Sequence, residues 1–128
     1  MEGYLLDASV IYPLLDYIDK VDVRKIYILD LTFYEVGNAI WKDYRIHKKI
    51  KDPFTLAKLF HKLLRKFNVL RDLPMQEIMR IAVERGLTYY DASYVFAAIS
   101  KGLTLVSNDK DLLEKGSAIS FKEFIKML

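Results

Sequence analysis

Four carboxylates occupy comparable places along this chain. Asp7 ends the apolar run Tyr4-Leu5-Leu6 in GYLLDAS, Glu35 lies in TFYEVGN, Asp91 in TYYDASY and Asp109 in VSNDKDLL. A buried strand gains nothing by finishing on a charge, so Asp7 needs an explanation. If strand ends and helix starts bring the four acids to one sheet edge, their charges repel in a partly desolvated cleft. Such a set needs a neutralising cation or raised pKa values. Oxygen-only ligands in a chain without cysteine favour a hard ion, Mg²⁺ or Mn²⁺. The chemistry such a centre supports is phosphodiester hydrolysis, in which the ion polarises a phosphoryl oxygen, orients the water nucleophile and screens the leaving oxygen.

Each acid also has a purely structural reading. Thr32-Phe33-Tyr34-Glu35 has the pattern of a capping box, and Thr88-Tyr89-Tyr90-Asp91 is its acidic variant. Asn108 can cap a helix begun by Asp109 and Asp111, where the helix dipole favours acids. Asp111 rivals Asp109 as a ligand, but two residues deeper it reads as a capping residue. Asp7 can cap the first helix. Capping explains each acid singly; four acids at equivalent places are better explained by one shared centre.

The elements that must position them follow from periodicity. Tyr4–Leu6, Ile26–Asp30, NVLRDL and Leu103–Val106 read as short strands. Between them the spacing predicts helices over Ser9–Asp19, Thr32–His47, Asp52–Phe67, Pro74–Arg85, Tyr89–Lys101 and Asp109–Lys115, with a last one from Phe121. Asp52-Pro53 is a helix start, and Gly86 and Gly102 are helix stops. Strands alternating with helices imply parallel pairing through right-handed crossovers. The expected class is α/β, a three-layer α/β/α sandwich on a short, mostly parallel sheet. Sites in such sheets form outside the carboxyl ends of the strands, which is where Asp7 stands.

The 128 residues fit one domain, 1–128. No apolar stretch approaches the roughly 18 residues of a membrane span, and no export signal is legible, so the cytoplasm is the expected location. The net charge of +3 is unevenly placed: nine bases against two acids give Lys42–Lys66 a charge of +7, leaving −4 for the rest. An acidic site beside a basic surface is one reading of that split, and solvation of two helices is the plainer one.

YLLDASVIYPLL, LTFYEVGNAIWK and LTYYDASYVFAAISKGLTLVSNDKDLL, in this order and spacing, resemble the PIN domain, and most nearly the VapC-type toxin nuclease of prokaryotic toxin–antitoxin pairs. The resemblance runs from Tyr4 to about Ile119. It implies a Mg²⁺- or Mn²⁺-dependent endoribonuclease whose acids are Asp7, Glu35, Asp91 and Asp109. Asp7 and Asp91 are the most direct ligands on this view, Glu35 binds metal or orients water, and Asp109 ligates through water or holds a second ion. Ser107 stands where the family often has Thr, with a hydroxyl suited to Asp7 or a metal water. Asn38, one turn after Glu35, is a candidate substrate contact or a solvated residue.

The resemblance further implies an RNA substrate, a small antitoxin partner and a homodimer. Lys42, Arg45, Lys48, Lys49 and Lys62 are then candidates to track the RNA backbone. Trp41 and Tyr44 can stack bases or simply pack. His47 and His61 lack an acid–base partner and read as groove or surface residues. Tyr12, Tyr17, Phe33, Tyr34, Phe54 and Phe60 can serve partner contacts or the core. The main alternative is a non-catalytic PIN-like module that binds RNA or protein. A phosphoryl-accepting receiver domain also gathers acids above a parallel sheet, but it needs an early acidic pair, and Asp7 stands alone.

Overall fold

The computed structural model describes residues 3–128. Four strands, β1 (Tyr4–Leu6), β2 (Ile26–Leu29), β3 (Asn68–Leu70) and β4 (Thr104–Val106), form one sheet in the order β3-β2-β1-β4. Every pairing is parallel; Tyr4 lies opposite both Ile26 and Thr104. The order turns at β1, with β2 on one side and β4 on the other. Connections that diverge from one strand leave a crevice at its carboxyl end.

Seven α-helices surround the sheet: α1 (Ile11–Leu14), α2 (Asp30–Arg45), α3 (Pro53–Leu64), α4 (Met75–Arg85), α5 (Tyr89–Lys101), α6 (Lys110–Lys115) and α7 (Phe121–Lys126). Successive strand side chains point to opposite faces, and this divides the core in two. Tyr4, Leu6, Ile26, Ile28 and Val106 join Val10, Ile11, Val36, Phe60, Leu64 and Phe124 on one face. Leu5, Leu29 and Leu105 join Ile78, Ala82, Val95 and Leu112 on the other. The result is the expected α/β/α sandwich. Leu5 and Leu6 are both fully buried, and each contributes about 1.5–3 kcal/mol by leaving water. β1 is therefore a firm base for the residue that follows it.

Local departures from expectation have local causes. The first helix is not continuous over Ser9–Asp19 but passes from a 3₁₀ turn, Ala8–Val10, through α1 into a second 3₁₀ stretch, Leu15–Lys20. Pro13 sits in α1 without an N–H and crowds the carbonyl four residues back, so the i→i−4 ladder cannot run through. α2 starts at Asp30, two residues before Thr32, with Leu29 as its N-cap. The capping box between Thr32 and Glu35 therefore does not form; Thr32 Oγ1 instead accepts the Leu29 N–H at 3.1 Å. Asp52 caps α3 as expected, and Gly86 and Gly102 end α4 and α5 with φ of 64° and 65°.

Candidate active site

Asp7 follows β1 directly and is almost fully buried. Its Oδ1 accepts from the Ser9 N–H at 3.1 Å and from Ser9 Oγ at 2.5 Å, while Oδ2 accepts from Ser107 Oγ at 2.6 Å. The two serines are held in turn. Asn108 N–H donates to Ser9 Oγ at 2.8 Å, and Asp109 N–H donates to Ser107 Oγ at 2.9 Å. Two hydroxyl groups thus latch the end of β1 to the segment leaving β4. Burial pushes the Asp7 carboxyl up; the hydrogen bonds from Ser107 and Ser9 pull it back, and nearby Asp109 raises it.

Glu35 lies in the second turn of α2, half-buried, and its Oε1 accepts from Tyr94 Oη at 2.5 Å. Tyr94, on α5, is buried, and its hydroxyl lies 2.8 Å from Thr32 Oγ1. The tyrosine has one proton and gives it to Glu35, so the Thr32 hydroxyl donates to Tyr94. The chain of bonds runs from the Leu29 amide through Thr32 and Tyr94 to the Glu35 carboxylate, and each link polarises the next. Burial pushes Glu35 up, the Tyr94 bond lowers it, and Asp7, Asp91 and Asp109 raise it. Burial, with the charge of Glu35 close by, pushes the Tyr94 phenol well above its ordinary value.

Asp91 opens α5, where Thr88 Oγ1 caps its N–H at 3.1 Å. Its carboxyl is pushed up to about 6, first by burial and then by Asp109, Asp7 and Asp111. Asp109 is the N-cap of α6: its Oδ1 accepts from the Asp111 and Leu112 N–H groups at 2.9 and 3.3 Å, which leaves Oδ2 free. Asp7 caps the first 3₁₀ turn and Thr88 caps α5 as expected, whereas the capping roles read for Asn108 and Asp111 are corrected. Asn108 caps nothing on α6 and instead accepts the Phe121 N–H at 3.1 Å. Asp111 does not cap either; one oxygen each from Asp91, Asp109 and Asp111 lies within 4.8 Å of the others.

The four expected acids thus share one electrostatic neighbourhood at the carboxyl edge of the sheet. Among the described residues, the ion pairs are Arg24–Asp22 at 3.0 Å and Lys115–Asp111 at 3.9 Å, so no lysine or arginine neutralises Asp7, Glu35, Asp91 or Asp109. The donor set is carboxylate and hydroxyl oxygen only, and its shared charge is what a hard divalent cation relieves. The residues fit such an ion.

The other candidates divide. Asn38 is exposed and shares with Glu35 a cavity of about 400 Å³. Lys42, Arg45, Lys48, Lys49 and Lys62 are all exposed, the first two on α2 and the last on α3. Trp41 and Tyr44 are exposed too, so neither is a core residue of this chain. Core packing does account for Phe60 and for Tyr12 packed against it, with tilted rings whose centroids lie 4.7 Å apart. His61 meets Phe33 edge-on at 5.9 Å, on the surface. The sequence alone assigns Tyr94 no place in the site, and it gives Thr32 only a capping role. Tyr94 stands three residues after Asp91, one helical turn on, and that spacing is the one signal that points to it.

Comparison with known proteins gives a consistent result. The sequence profile of the PIN domain matches residues 4–117. Exonuclease VapC9 of Pyrobaculum aerophilum is 47% identical over 114 residues, 88% of this chain and 84% of that protein. Ribonuclease VapC3 of the same organism is 31% identical over 100 residues, 75% of each. The crystal structure of PAE2754 from Pyrobaculum aerophilum superposes with a TM-score of 0.89 at 43% identity, covering 98% of this chain and 96% of that one. A toxin–antitoxin complex from Klebsiella pneumoniae has the same fold, with a TM-score of 0.68 at 16% identity over 91% of this chain and 96% of that one.

Proposed function

The chain belongs to the PIN-domain family, and from that premise we propose that it is a metal-dependent ribonuclease, using Mg²⁺ or Mn²⁺ to hydrolyse RNA phosphodiester bonds. The carrying observation is the convergence of Asp7, Glu35, Asp91 and Asp109 with no basic side chain to offset them. These residues would hold the ion, with Asp7 and Asp91 as the most direct ligands. When bound, the ion neutralises the cluster and polarises a phosphoryl oxygen. The Ser107 hydrogen bond fixes Asp7 and favours its ionised form against the effect of burial. Tyr94 fixes Glu35, whose free Oε2 can orient the attacking water and take its proton.

A path for the substrate follows from helical spacing. Glu35, Asn38, Lys42 and Arg45 stand at i, i+3, i+7 and i+10 on α2, which puts them along one stripe. That stripe leads from the acids toward Lys48 and Lys49, just beyond the end of α2. The acids open onto the surface, since Asp109 and Asp111 are exposed, and an internal bond of an RNA strand can reach them. This favours endonucleolytic cutting, although one relative carries the name exonuclease.

The reading extends to partners. An antitoxin helix and a second copy of the chain are the proposed occupants of two exposed apolar surfaces. One surface is the groove lined by Phe33, Tyr34, Gly37 and Ala57 between α2 and α3, and the other is the stripe of Met75, Met79 and Val83 on α4. Sedimentation equilibrium that finds only monomer would remove the second.

The central test is cleavage of single-stranded RNA, linear and circular, with Mg²⁺ or Mn²⁺. Cutting should stop on adding EDTA. Asp7→Asn and Asp91→Asn should each slow it by at least roughly a hundredfold with the fold intact by circular dichroism. Circular RNA, having no end, is cut only by an endonuclease. Parental rates in both variants would overturn the assignment.

A further inference from the structure

The cavity beside Glu35 has a volume of about 400 Å³ and is lined by Leu31, Tyr34, Glu35, Asn38 and Tyr90. That size lies within the range of small-molecule sites. Its two tyrosines come from different helices, α2 and α5, and each directly precedes an acid of the site: Tyr34 before Glu35, Tyr90 before Asp91. They are 78% and 61% exposed. Rings left that far in water add little to the core, and their faces stay open to a ligand.

The lining has a definite chemistry. The tyrosines offer flat π faces, and Leu31 adds an apolar surface. The Asn38 amide carries a donor and an acceptor side by side. Glu35 repels anions, so a phosphate is kept out of the cavity and on the side of the acid cluster. A planar, uncharged heteroaromatic ring with hydrogen-bonding edges fits all four features. We infer that this cavity is a nucleobase subsite, which takes the unpaired base of a nucleotide adjoining the phosphodiester bond to be cut. The base stacks on Tyr34 and Tyr90 and presents its edge to Asn38. The inference rests on the nuclease reading above and deepens it: a base held in a duplex cannot enter, so the site selects single strands.

The test uses the whole protein and a short single-stranded RNA, alongside a set of the same strand with one abasic nucleotide moved through every position. Binding is read by fluorescence anisotropy in Ca²⁺, and cutting in Mn²⁺. One abasic position, next to the cut, should lower both affinity and kcat/KM by roughly tenfold. Tyr34→Ala and Tyr90→Ala should weaken the intact strand by a similar factor and erase the abasic penalty, while Tyr34→Phe and Tyr90→Phe keep it. Asn38→Ala should flatten the preference among the four bases at that position.

The outcomes separate the two readings. Binding with the penalty but no cutting leaves the subsite standing and removes the nuclease. Cutting with no position-specific penalty, or with a penalty that survives in the Tyr34→Ala/Tyr90→Ala pair, removes the subsite and leaves the nuclease. Neither binding nor cutting removes both. If the alanine variants handle RNA as the parent does but lose a protein partner, the cavity is a protein-docking surface and the inference falls.

Discussion

Tyr94 is a buried phenol whose proton is committed to a carboxylate. Removing its hydroxyl in Tyr94→Phe leaves the Thr32 donor without its acceptor and Glu35 without its donor. The cost to stability should be about 1 kcal/mol, read by urea unfolding. Because the lost bond lowers the Glu35 pKa, its removal raises that pKa further, and the acid limb of the rate profile should move to higher pH. Mn²⁺ affinity, measured by calorimetry, should weaken by roughly tenfold or more, as expected for a residue that orients a ligand. Asp91 gives a second prediction at this scale. Its folded pKa is about 6 against an ordinary 3.8, so the folded state binds the proton more tightly than the unfolded one does. The stabilisation is complete below the unfolded value and is lost as pH rises through the folded one. In EDTA the melting temperature should therefore fall across that window on account of this group, and Asp91→Asn should flatten the decline. Added Mn²⁺ should restore stability at neutral pH and do little at pH 4, where the ligands are protonated.

At the level of elements, Asp109 is both the cap of α6 and a candidate ligand, using Oδ1 for the first and Oδ2 for the second. Asparagine caps as well as aspartate, so Asp109→Asn should keep stability within a few tenths of a kcal/mol while lowering metal affinity. Asp109→Ala should lose about 1 kcal/mol as well; equal stability in the two variants would show that the cap contributes nothing. The elements themselves were largely legible. Tyr4–Leu6 and the glycine stops at Gly86 and Gly102 stand where the pattern put them, because apolar runs and left-handed caps are local signals. Asp7, Asp91 and Asp109 carry local signals of the same kind, a strand end and two helix starts, whereas Glu35 lies in the second turn of α2 because that helix begins earlier than its pattern suggests. What escaped was set by contacts distant in sequence. Thr32 reads locally as a cap for Glu35, but α2 begins earlier on Leu29, and the Thr32 hydroxyl turns to Tyr94, 62 residues away. Asn108 looks like a cap until Phe121, 13 residues on, supplies its partner. Tyr34 and Tyr90 gave no sign in the sequence that they would share one cavity, since only the packing of α2 near α5 brings them together.

For the molecule as a whole, charge is segregated: an acid-lined edge and a basic flank that begins on the same helix. Reversing Lys42 and Arg45 to Glu should weaken RNA binding and reduce the slope of log K against log salt by about 0.7 for each phosphate no longer neutralised. An unchanged slope would return those side chains to solvation. No helix among the described residues is long and apolar enough to cross a membrane. The exposed apolar residues lie mainly on α2, α3 and α4.

The latch between Asp7 and Ser107 joins residues 100 positions apart. A growing chain therefore carries Asp7 well before it acquires the hydroxyl that fixes it. Until β4 slots in beside β1, the first strand lacks one neighbour and its terminal carboxylate lacks the Ser107 donor. The chemistry proposed for this protein thus waits on the last of its strands, whose arrival completes the hold on the first acid.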